Sequence, residues 1–176
     1  MSTPLPEPWL RGPLPGIPAL LQPAAHAFVM AREDVEAAVR GLSAAEAWMA
    51  PPGMTAIGFH VAHLSGSTDR LLTYARGAAL DDAQKQVLGR ERMLAVERPP
   101  IETLLTTWLA TVDQALAQLA ATPEATLGDA RAVGRAQLPS TVLGLLFHAA
   151  EHASRHTGQI VTTARLVRAI TEAQAS

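Results

Sequence analysis

His148-Ala-Ala-Glu-His152-Ala-Ser-Arg-His156-Thr-Gly-Gln-Ile160 holds three of the chain's six histidines, each four residues after the last. At about 3.6 residues per turn, a spacing of four stacks side chains on one helix face. The surrounding residues favour a helix. Ser140 after Pro139 suits an N-cap, Leu, Ala, Glu and Arg fill the following turns, and no proline occurs up to Ser176. Two imidazoles at i and i+4 can hold one cation, the spacing also used by zinc-protease helices, but the glutamate that those helices carry directly after the first histidine is missing here. Leu145, Ala149, His152, His156 and Thr163 fall on one stripe, so His152 and His156 are expected to face a bundle core or a cleft. A buried imidazole needs a partner for each nitrogen, and a metal, a carboxylate, a carbonyl or a water can supply it.

Working outward, the predicted helix runs from about Thr141 to Ile170. Three more long helices precede it. One runs from Pro23 or Ala24 to Arg40, with Phe28, Ala31, Val35, Ala38 and Leu42 as its seam and Gly41 as its stop. His26 is read as facing the surface or the N-terminal strap. A second spans Ala56 to Arg76, with Thr55 as its expected cap and Ile57, Val61, Leu64, Thr68, Leu71 and Ala75 inward. It carries His60 and His63. At about 100° per residue, His60 lies nearer the inward stripe than His63, though a ligand at a seam between helices can come from either. A third spans Ile101 to Ala121, with Leu104, Leu105, Trp108, Val112, Ala115 and Leu119 inward. Asp113 beside that seam reads as a solvated charge in preference to a carboxylate supporting a ligand histidine.

The connections carry their own signals. Ser43-Ala-Ala-Glu46 is a capping box opening a short helix. Residues 78–99, with a short helix from Ala83 to Met93, form a long crossover between the second and third helices. Residues 132–138 read as a short strand or a lip over one end of the bundle. Gly158 lies inside the last helix, where a close approach by another helix would explain it. Seven prolines among residues 1–23 exclude a long helix there. Residues 1–22 therefore read as a strap, with Trp9, Leu14 and Ile17 as its anchors, and residues 23–176 as an all-α, four-helix-bundle domain.

Composition narrows the function. The 176-residue chain is 48% hydrophobic, enough for one domain with a real core. It has no cysteine, which excludes disulfides, thiolate metal sites and a cysteine nucleophile. A net charge of −2 with mixed signs, and arginines scattered around the last helix, argue against nucleic-acid binding. Prolines stand in the N-terminal stretch where a signal peptide would have its apolar core, and no run is long enough to span a bilayer, so a cytoplasmic protein is expected.

Two stretches resemble the DinB-like (DinB/YfiT) family of metal-dependent four-helix-bundle enzymes. One is Thr55-Ala-Ile-Gly-Phe-His60-Val-Ala-His63-Leu-Ser-Gly-Ser-Thr-Asp69-Arg70-Leu-Leu-Thr-Tyr74-Ala-Arg-Gly77. The other runs from Val133 to Thr141 and into the quoted histidine stretch, whose closing His-x-Gly-Gln-Ile is similar to the family's usual ending. The resemblance implies an up-down-down-up bundle, commonly a homodimer, with one divalent metal such as zinc or nickel on three histidines. By the family pattern these are His63, which precedes Leu64, with His152 and His156; the face count favours His60, which stays in reserve. His60 and His148 are additional here, and are the candidates for a catalytic base or an orienting residue, with Glu151 a weaker one. Relatives in the family include thiol-dependent S-transferases using bacillithiol or mycothiol, and a maleylpyruvate isomerase. The implied activity is that of a small-thiol S-transferase or hydrolase acting on an electrophilic small molecule. The competing reading is a non-catalytic dimeric bundle with a structural metal or a ligand-sequestering role.

Overall fold

In the computed structural model, which describes residues 6–175, the four long helices pack by their apolar seams. Helix α1 is Gln22–Val39; α2 is the short Ala44–Ala47; α3 is Ile57–Ala75. The crossover contains α4 (Asp82–Arg90), a 3-10 turn at Glu91–Met93 and α5 (Leu94–Glu97). Then come α6 (Ile101–Ala121), an antiparallel hairpin of β1 (Ala130–Val133) and β2 (Leu138–Thr141), and α7 (Val142–Ala175).

Each long helix packs on two others: α7 on α1 and α3, and α6 on α3 and α1. Contacts along the interfaces fix the directions. Arg168 near the end of α7 reaches the carbonyls of Ala38 and Arg40 at the end of α1, so those two run parallel. Gln118 donates to the Leu72 carbonyl, late in both α6 and α3, while Trp48 just before α3 bonds to Pro99 just before α6. The histidines of α3 meet those of α7 in reverse order, 60 with 156 and 63 with 152. The bundle is thus up-down-down-up, with the crossover joining its second and third helices.

The core follows the expected stripes closely. Phe28, Val35, Ile57, Val61, Leu64, Trp108, Val112, Leu119, Ile160 and Val167 are fully buried. Two faces are rotated by about one residue: on α3, Leu72 is buried where Leu71 was expected, and on α6, Leu105 is only partly buried. The Ser43–Glu46 capping box forms as read. Thr55 does not cap α3, whose N-cap is Ala56 with no side-chain hydrogen bond. At α7 the Thr141 hydroxyl accepts from the Gly144 amide at 3.0 Å, taking the role read for Ser140. Residues 132–138 are not one extended lip, because the chain turns at 134–137 with positive φ at Gly134 and Gln137 and the strands lie on either side. Helix α7 also runs past Ile170. No helix closes on Gly158: a Cβ there would meet nothing within 4 Å, and nothing in the structure explains the glycine.

Of the strap's expected anchors, Leu14 and Ile17 pack on the core, but Trp9 is 58% exposed and donates only to Glu7. Pro8 and Leu21 are buried in its place. The Gln22 side chain ties the strap to the start of α1 by bonds to Leu14 and Ile17, Arg11 pairs with Glu33, and His26 lies 3.0 Å from the Gly12 carbonyl, which makes it strap-facing. Residues 1–5, including Pro4, lie outside the described residues.

Candidate metal centre

Five of the six histidines lie on α3 and α7. The alanines Ala149, Ala150 and Ala153 on the buried side of α7 let it approach its neighbours closely. Because the two helices run antiparallel, the i, i+3 pair of α3 faces the i, i+4 pair of α7. His63 Nε2 stands 3.1 Å from His152 Nε2, and His60 Nδ1 stands 3.0 Å from His156 Nδ1. The rings of His152 and His156 have centroids 4.5 Å apart, and those of His63 and His156 are 4.8 Å apart.

His63, His152 and His156 each offer a ring nitrogen within 4.8 Å of the other two, a group that could hold a metal ion. The donor set suits one. Two imidazole nitrogens bound to the same zinc at about 2.0–2.1 Å lie roughly 3.3 Å apart in tetrahedral geometry, close to the His63–His152 separation. Metal ligation also needs neutral rings. Burial, then the charges of neighbouring groups, pushes His152 down to about 4 and His156 down to about 4. For His152 the neighbours are His156, His63, His148 and Arg155; for His156 they are His63, His60 and Arg155. At neutral pH each of these two rings therefore keeps one nitrogen with a free lone pair.

His60 lies deeper. It is only 5% exposed, and burial, followed by the nearness of His63, lowers its pKa. The α3 face count is right that His60 is the more inward of the two, while the cluster of three nitrogens uses His63; the two observations concern burial and convergence separately. His148 sits at the rim, its side chain 50% exposed, 3.3 Å from a Glu151 carboxylate that also takes Arg155. Phe59 stacks on His63 with planes 7° apart and centroids at 5.8 Å, walling one side of the site.

One contributor has no counterpart in the sequence reading. Glu91, in the crossover's 3-10 turn, brings Oε2 to 3.1 Å from His63 Nδ1 and Oε1 to 2.9 Å from Arg70 Nη1. Nothing periodic marks it, since it lies in an Arg-Glu-Arg run of a connection and reaches the site only through tertiary docking. Burial pushes its carboxyl up, but the His63 hydrogen bond and the Arg70 charge outweigh that and leave it below the ordinary range. Asp113, by contrast, is 70% exposed and paired with Arg32 on another face of the bundle, the solvated charge it was read to be.

An all-α bundle with a three-histidine group between two of its helices is consistent with a metal-dependent enzyme. Residues 27–160, well over half of the chain, match the DinB superfamily, and the chain belongs to that superfamily. No curated protein matches it. Among the described residues no helix is long and apolar enough to cross a membrane.

Proposed function

We propose that the protein is a metal-dependent enzyme that joins a thiol or water to an electrophilic small molecule, with His63, His152 and His156 as ligands of one divalent ion, zinc or nickel. The observation that carries this reading is the convergence of three imidazole nitrogens from two helices, two of the rings held neutral by their surroundings. Three neutral ligands leave the ion's charge undiminished and a coordination position free, so that when bound it lowers the pKa of a water or thiol and polarises an electrophile. The chain's own residues do the rest. His60 holds His156 from the buried side, Phe59 shields one flank, and His148 at the rim, beside Glu151, would take or return a proton. A low-molecular-weight thiol as co-substrate, a homodimeric assembly and a cytoplasmic location belong to the same proposal and rest on the family resemblance.

Metal analysis of protein purified without a histidine tag tests it. One equivalent of metal is expected in the wild type and none in the double variant His152→Ala, His156→Ala; full occupancy in that variant would overturn the site. A structural metal in a non-catalytic bundle is the second reading, and the fourth imidazole beside His156 favours it. Structural zinc is closed by four protein ligands. X-ray absorption showing four histidine nitrogens supports that reading, and three with a light exchangeable ligand supports catalysis.

A further inference from the structure

Glu91 is placed to do more than pair with Arg70. Its two oxygens bridge His63 and Arg70, which lie two turns apart on α3. The three side chains are 20%, 15% and 12% exposed for His63, Glu91 and Arg70, so water screens this network only weakly. Gly66 lies between them on the same helix. A Cβ at that position would fall 2.9 Å from Arg70 Nη1 and 3.2 Å from Glu91 Oε1. A glycine inside a helix costs about 1 kcal/mol against alanine, and here it leaves the space in which the carboxylate reaches α3.

Of the crossover's apolar side chains, Leu94 packs on the core. None of residues 82–97 is buried, and Val87, Leu88, Met93 and Val96 are exposed apolar side chains. Its side-chain hydrogen bonds to α3 are two polar sets: Gln84 donating to Asp69 and Thr73, each at 2.7 Å, and Glu91 with His63 and Arg70. Only the second touches the site.

We infer that Glu91 is a positioning residue that fixes the His63 ring with Nδ1–H toward the crossover and the Nε2 lone pair toward His152, and so couples docking of the crossover to filling of the three-histidine site. The carboxylate can only accept, so the Nδ1 of a neutral His63 must carry the proton. Free imidazole of histidine prefers the opposite tautomer, with the proton on Nε2, which cannot ligate through that atom. The carboxylate therefore selects the form a metal needs, and a filled site in turn holds the ring where Glu91 docks. The inference rests on the reading of His63 as a ligand.

The test uses the full chain with Glu91→Ala and Glu91→Gln. Nitrogen-15 NMR of the metal-free protein reads the His63 tautomer; competition against a chromogenic chelator reads zinc affinity; hydrogen exchange over residues 82–97 reads crossover docking with and without zinc. In the wild type, Nδ1–H is expected, and zinc slows exchange of the crossover. In Glu91→Ala, the Nε2–H form takes over, zinc binding weakens by roughly 10–100-fold at unchanged stoichiometry, and zinc no longer protects the crossover. Glu91→Gln keeps one accepting oxygen where the carboxylate has two, so His63 Nδ1–H and Arg70 compete for it, and a tautomer mixture with a smaller loss of zinc affinity than in Glu91→Ala is expected. If Glu91→Ala keeps the tautomer, or binds zinc within about twofold of the wild type, the inference is wrong. Should the wild type take up no metal, the ligand reading and the coupling fail together, while the tautomer measurement separately decides whether Glu91 orients the ring.

Discussion

Gly58 sits in the first turn of α3, two residues before His60, and a methyl group there has nowhere to go. Its Cβ would lie 2.6 Å from Trp48 Cζ2, 2.7 Å from Cε2 and 3.0 Å from Cη2. Carbon atoms in good contact stand about 3.5–4.0 Å apart, so the indole or the helix must give by about 1 Å. Neither is free. Trp48 is 7% exposed and its Nε1 donates to the Pro99 carbonyl at 3.1 Å, while Ile57 and Val61 on either side of Gly58 are fully buried. Overpacking of this kind costs about 1–3 kcal/mol, offset by up to about 1 kcal/mol from the better helix propensity of alanine. Gly58→Ala is thus expected to destabilise by about 1–2 kcal/mol. At about 2–4 °C per kcal/mol for a chain of this size, the loss of Tm is about 2–8 °C. The atoms in conflict belong to the six-membered ring of the indole, which Trp48→Phe repositions and trims. In a Trp48→Phe background Gly58→Ala should therefore be nearly neutral, a coupling of about 1 kcal/mol or more in a double-mutant cycle. Thermal unfolding of the four proteins, with metal removed by chelator, measures both. A Gly58→Ala protein as stable as the wild type, or additive effects in the cycle, would show that the Trp48 contact does not set the position of α3.

Acid should unfold the metal-free protein partly through its site. The folded pKa values of His152 and His156 are depressed to about 4 from 6.5, so the unfolded chain binds protons first; the stability they contribute is present above about pH 6.5 and lost as pH falls toward 4. Tm measured across that window should fall more steeply for the wild type than for His152→Ala, His156→Ala, and equal slopes would contradict the burial of these rings. Asp113→Asn breaks a pair whose acidic partner is mostly exposed. It should cost no more than about 1 kcal/mol in denaturant titration and leave zinc affinity unchanged; a loss of affinity would assign Asp113 to the site. Ser43→Ala removes the hydroxyl that accepts from the Glu46 amide, and should cost about 1 kcal/mol in the same titration without altering metal content.

What the sequence made legible was what the chain decides locally. The seams of α1 and α6 and the capping box at Ser43 depend on residues within a turn or two of one another, and they form nearly as read. The stacked histidines were legible for the same reason, since a spacing of four leaves little choice of face. The failures begin where a neighbouring segment decides. Thr141 displaces Ser140 as the hydroxyl at the start of α7 because β2 extends through Thr141 and the helix begins one residue later than read, at Val142, which leaves Thr141 as the residue directly before it. Leu72 replaces Leu71 on the buried face because α6 and α7 set the rotation of α3, not its own periodicity. Glu91 could not be found from spacing at all: twenty-eight residues separate it from His63, and its turn has no pattern beyond alternating charge.

The arrangement of histidines gives the site a direction. Along a helix three residues rise about 4.5 Å and four rise about 6 Å, so His60 and His63 on α3 match His156 and His152 on α7 to within about 1.5 Å. The result is two rungs between antiparallel helices. The His60–His156 rung lies toward the core, where His60 is almost sealed. The His63–His152 rung lies toward the rim, flanked by exposed His148 and by the crossover's Glu91. His156 belongs to both, bonded to the inner histidine and adjacent to the outer pair. An ion held by the three convergent nitrogens would have the inner rung behind it. His148 and the crossover's Glu91 flank the outer rung, which places a segment with no buried residue between 82 and 97 beside the three-histidine group.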